Sequence, residues 1–136
     1  MNTISHHSAL IYVMVVVAAS DGAMNDSELH AIGNLVRTLP VFRDFDEDRL
    51  IPVAQECAAI VHEEDGLQAA LGLVSEALPD HLRETAYYLA LEVALTDSQV
   101  MLEEIRVIDV LRRALGLERL EAAALERGVR ARYQIA

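Results

Sequence analysis

The chain has 136 residues, the length of one ordinary domain, and at 53% hydrophobic it holds ample material for a core. Twenty-two acidic against eleven basic side chains leave a formal charge of −11, which repels phosphate backbones and anionic lipid and excludes nucleic acid as an expected partner. Three Pro, six Gly and no Trp, among many Ala, Leu and Glu, point away from sheet and disorder and toward an all-α class.

Thr3 or Ser5 is placed to cap a first helix that continues to about Ser20. Its stretch from Ile11 to Ala19 is apolar on every side, so other helices must surround it. The uninterrupted apolar run, Ala9 to Ala19, is too short to span a bilayer and lacks the preceding basic region of a secretory signal, which implies a cytoplasmic protein with no direct membrane insertion. His6 and His7, just before it, read as ordinary exposed residues. Asp21-Gly22 is the expected stop, since glycine adopts the left-handed conformation cheaply.

Asn25-Asp26-Ser27-Glu28 reads as a capping box opening a second helix, about Asp26 to Leu39, with Leu29, Ile32, Leu35, Val36 and Leu39 on one stripe. Pro40 closes it, and Phe42 and Phe45 anchor the charged connection that follows. A third helix, capped by Asp46 or Asp48 and with Pro52 in its first turn, runs to about His62. It carries Cys57, the lone cysteine, among Val53, Ala54, Ala58 and Ile60. A buried structural thiol in a reducing compartment is expected there. After the polar break Glu63-Glu64-Asp65-Gly66 comes a fourth helix to Pro79, and a fifth that buries Leu82, Ala86, Leu89, Ala90 and Val93. The sixth, about Val100 to Leu115, turns Ile105, Ile108, Leu111 and Leu115 inward and stops at Gly116. The last, about Glu118 to Arg127, has Leu120, Ala124 and Leu125 on one side and stops at Gly128; the basic cluster of Arg127, Arg130 and Arg132 reads as a solvated terminus.

Two of these segments are copies. Residues 10–41 and 86–117 align at an offset of 76 with nine identities in 32 positions, where a composition like this gives about two or three by chance. Asp21 falls on Asp97 and Glu28 on Glu104; Tyr12/Tyr88, Ile32/Ile108, Leu35/Leu111 and Arg37/Arg113 are among the other matches. The expected architecture is a compact bundle of about seven helices in a single domain, 1–136, with a pseudo-two-fold repeat of helical hairpins.

Each copy places an Asp at a turn and a Glu in the first coil of the following helix. A hard divalent cation, Ca²⁺ ahead of Mg²⁺, is the ligand such oxygens suit, so Asp21, Glu28, Asp97 and Glu104 form the candidate metal set, as one shared site or two. Helix capping alone also accounts for the first pair, although Met101 stands at the position of Asn25 and cannot cap, yet Glu104 is retained. No zinc, di-iron, phosphate-loop or nucleophile signature is present, so an enzyme is not the expected class.

The phrases VAASDGAMNDSELHAI and LEVALTDSQVMLEEIRVIDVLRRALGL resemble the TerB-like tellurite-resistance family, in which Asp-Gly followed by a Glu seven residues after the Asp occurs twice per domain. The likeness spans about Ala9 to Leu117 and departs from the family at Ser98, where Gly is usual. It implies an all-helical domain with an acidic patch at Asp21, Glu28, Asp97 and Glu104, a role in stress response, and protein partners that include a membrane-associated complex. Two readings follow: a non-enzymatic module that binds a cation and acts through partners, or a metal-free scaffold with an acidic docking patch.

Overall fold

A helix whose every face is apolar has only one stable place, the middle. In the computed structural model, which describes residues 3–20, 24–96 and 102–136 (side chains of 102 and 103 excepted), the helix α1 (His6–Ala18) occupies it. Every residue from Ser8 to Ala18 is buried, and Leu10, Ile11, Val13 and Met14 are fully inaccessible. Burial of each large side chain contributes roughly 2–3 kcal/mol. The Ser5 side chain accepts from the Ser8 N–H at 3.0 Å to start the helix, and Ala19 caps its end. Asp21 and Gly22, the expected stop signal, lie outside the described residues.

Six further helices follow among the described residues: α2 (Asp26–Thr38), α3 (Leu50–Val61), α4 (Gly66–Ala77), α5 (Arg83–Ala94), α6 (Leu102–Ala114) and α7 (Arg119–Arg132). Three short 3-10 turns, Pro40–Phe42, Glu47–Arg49 and Asp80–Leu82, join them, and no strand occurs among the described residues. On α1 pack α3, α4, α5 and α6, with α2 touching it more lightly. Outside α5 lies α7, whereas α3 and α4 pair with each other and make no substantial contact with α5 or α7. The all-α class and the number of helices agree with the sequence. Helix bounds also follow the offset of 76: α2 and α6 span 26–38 and 102–114, while α1 and α5 end at 18 and 94.

Several expectations are corrected. Ile105 is 53% exposed, because α6 turns Glu104, Leu111 and Leu115 inward instead. Spacings of seven and four place that carboxylate at the head of the buried stripe. Leu120 is 82% exposed and Ala124 is exposed as well, since α7 continues through Gly128 and buries Ala122 and Val129, seven residues apart. The 0% exposure of Val129 offsets the cost of glycine in a helix, about 1 kcal/mol. His7 is half-buried rather than exposed. Its Nε2–H donates to the Val41 carbonyl at 2.9 Å, and its ring lies 5.8 Å from Phe42 and 5.4 Å from Phe45, so the aromatic anchors close on the start of α1.

The helix ends are well satisfied. Gly116, at φ +70°, makes a Schellman stop in which its N–H donates to Arg113 O and that of Leu117 to Arg112 O, both at 3.1 Å. Arg83 Nη1, from the start of α5, donates to the Leu115 carbonyl at 2.7 Å and supplies a cation where the α6 dipole is negative. Between α3 and α4 the left-handed residue is Asp65 (φ +56°), not the glycine beside it. Gly66 is required for another reason: a Cβ there would stand 2.1 Å from Ile60 O and 2.5 Å from Val61 O. Gly66→Ala is therefore expected to cost at least about 2 kcal/mol in a urea titration, because only backbone can move aside. An unchanged midpoint would contradict this packing.

Candidate functional site

The buried polar and charged residues among those described are Ser8, Glu28, Glu92 and Glu104. Three of the four are glutamates, and a carboxylate is stable in such surroundings only when donors or positive charge compensate its lost hydration.

Glu28 is 3% exposed and is the third residue of α2. Its backbone N–H donates to Asn25 Oδ1 at 2.8 Å, and the Asn25 N–H donates to Glu28 Oε1 at 3.0 Å, completing the expected capping box. Glu104 is 6% exposed and is the third residue of α6. Both acids thus begin the inward stripe of their helix, in the first turn, where the helix dipole favours negative charge. Asp21 and Asp97, the other two candidate ligands, lie outside the described residues. Of the four, the structure places the two glutamates, on helices that share α1 and α5 as neighbours. Among the described residues, no group of three or more His, Cys, Asp and Glu side chains is arranged to hold a metal.

Glu92, in the last turn of α5 and 3% exposed, was not singled out by sequence. Its Oε2 accepts from Tyr88 Oη at 2.8 Å and pairs with Arg132 Nε at 2.8 Å, while Oε1 accepts a hydrogen bond from Tyr133 Oη. The Arg132 guanidinium also lies over the Tyr133 ring, 5.7 Å from its centroid. Residues 130–136 are exposed as expected, yet Arg132 and Tyr133 fasten the last turn of α7 to α5. Arg127 and Arg130 remain exposed, as expected. A charged residue within the apolar run from Ala86 to Ala94 was the one available signal for Glu92; Tyr88 lies one turn away on the same helix, but Arg132 and Tyr133 are 40 and 41 residues away and carry no local pattern.

Burial pushes Tyr88 and Tyr133 above the ordinary tyrosine range, and the hydrogen bonds to Glu92 add to this. Tyr87 is raised by burial first and then by its bond to Glu126 Oε2, 3.0 Å away. Tyr12 is raised by burial and the charge of Glu56. Burial alone holds the Cys57 thiol at about 12, and its Sγ sits 3.7 Å from Tyr12 O, consistent with a structural, unreactive cysteine.

An open hollow of about 420 Å³, lined by Leu39, Pro40, Val41, Tyr88 and Leu125 among others, lies beside this cluster; it is apolar, with Glu84 at its edge. No helix among the described residues is long and apolar enough to cross a membrane.

The family model described as "Tellurite resistance protein TerB" matches residues 7–127. Searches of curated proteins and of solved structures returned no significant match.

Two measurements test the site. Glu92→Ala is expected to cost about 2 kcal/mol and to speed tryptic cleavage at Arg130, whereas Tyr133→Phe costs only about 1 kcal/mol; unchanged cleavage would mean that α7 is held elsewhere. Because each raised group favours its neutral form in the folded state, stability is intact below about pH 9, the ordinary cysteine value. Above it the unfolded chain loses protons first, so the urea midpoint should fall steadily as Cys57 and then the tyrosines titrate. A midpoint flat to pH 11 would contradict these shifts.

Proposed function

The chain belongs to the TerB tellurite-resistance family, and on that premise we propose that it is a non-enzymatic, cytoplasmic module of a stress response. In this reading it binds a divalent cation, Ca²⁺ ahead of Mg²⁺, through Asp21, Glu28, Asp97 and Glu104 and acts through protein partners, a membrane-associated complex among them. The observation that carries the proposal is the matched pair of glutamates. Glu28 and Glu104 occupy the same position of the two copied helices and both lie below 10% exposure, although Glu104 is preceded by no residue able to complete a capping box. Side chains that supply only oxygen suit hard cations, and the aspartate seven residues before each glutamate supplies a further carboxylate. The ion would neutralise charge that the protein has in excess.

A metal-free scaffold is favoured by one specific contact, the Asn25–Glu28 box, which gives the first glutamate a complete structural purpose. Titration calorimetry separates the two readings. Ca²⁺ added to chelator-stripped protein should release heat and raise stability by about 2.7 kcal/mol at a hundred times the dissociation constant, and Glu104→Gln should weaken binding more than tenfold. Absence of heat and of any shift in melting temperature at millimolar ion would leave the scaffold.

A further inference from the structure

The outermost layers carry opposite charge. On one side of α1, residues 50–77, which form α3, α4 and the turn between them, contain five carboxylates (Glu56, Glu63, Glu64, Asp65, Glu76) and no arginine or lysine. On the far side of α5, α7 contains four arginines and two glutamates. Arg132 is engaged by Glu92, but Arg127 and Arg130 are exposed and form no ion pair among the described residues. Glu63, Glu64, Asp65 and Glu76 are likewise exposed without ion pairs among the described residues.

A second observation falls on the same two helices. Gly72 lies in the interior of α4 and Gly128 in the interior of α7; both are exposed, and a Cβ added to either meets nothing within 4 Å. Helix-interior glycine is unfavourable by about 1 kcal/mol relative to alanine. Nothing inside this fold requires that loss, in contrast to Gly66. What a bare helix face provides is close approach by another backbone. Around Gly128 the exposed residues at helical spacing are Leu120, Ala124, Ala131 and the Arg132 that Glu92 holds; beside Gly72 stand Gln68, Ala69 and Glu76.

We propose that copies of this chain associate head to tail, the outer face of α7 on one copy seating on the outer face of α4 on the next. Arg127 and Arg130 then meet the Glu63–Glu64 turn and Glu76, and Leu120 is withdrawn from water. Such a contact joins two different surfaces, so it builds chains or rings rather than a closed two-fold dimer. It opposes the overall charge of −11, and its strength therefore depends on local complementarity and on ionic strength.

Sedimentation equilibrium of the whole chain tests this. At about 20 mM salt the average mass should rise with concentration above the 15.0 kDa of the single chain, and at about 0.5 M salt association should weaken at least tenfold. Arg127→Glu with Arg130→Glu should abolish the rise, and Glu64→Arg with Glu76→Arg should do the same. A one-to-one mixture of the two double variants should associate again, because each then offers the other a complementary face. Gly128→Leu should raise the melting temperature of the single chain while preventing association. A mass of 15.0 kDa at every concentration in low salt would overturn the proposal, as would a dimer indifferent to both charge reversals. Should either double variant fail to fold by circular dichroism, the salt series on the unaltered chain and the Gly128→Leu result decide the matter.

Discussion

The fold depends on the desolvation of α1. Eleven consecutive residues, Ser8 to Ala18, are taken out of water on all sides, and no single neighbour can do that for a helix. The other helices are arranged as they are because this one needs a complete jacket: α3 and α4 cover part of it, and α5 and α6 cover much of the rest. Since α5 is itself buried over most of its length, from Ala86 to Ala94 with Tyr88 half-covered, it needs a cover of its own, which α7 supplies.

Against that apolar background the buried glutamates fall into two kinds. Glu92 is a fastener, its carboxylate answered by an arginine and two tyrosine hydroxyls, and the low dielectric that makes such a charge expensive also makes its loss felt at the end of α7. Glu28 and Glu104 instead each stand third in their helix, at the first turn, where the positive end attracts negative charge. Repetition of the same buried acid at equivalent places is hard to attribute to solubility, which is served by exposed residues such as Asp44, Asp48 and Glu63.

The exposed charge is not evenly spread either. Acidic side chains dominate the α3–α4 side, and α7 carries a surplus of arginine; the distribution gives the molecule two unlike faces and makes ionic strength a variable of its behaviour.

What was legible from residues alone was whatever depends on neighbours along the chain. The all-round apolarity of α1, the Ser5 and Asn25 caps, the stop at Gly116 and the burial of Cys57 are local or periodic features, and the helices followed them. The candidate glutamates were found in the same way, and their helices put both in the interior; their aspartate companions lie beyond the described residues. Packing decided the remainder. Which way α6 and α7 rotate, so that Ile105 and Leu120 face water while Glu104 and Val129 do not, is set by the surface each helix meets and not by its own pattern. Glu92 acquired Arg132 and Tyr133 only when residues some forty positions downstream folded back along α5, and His7 joined Phe42 and Phe45 across a similar gap. A periodicity states how wide an apolar stripe is, but the angle at which it docks, and the distant polar group it must satisfy, follow from three-dimensional contact alone.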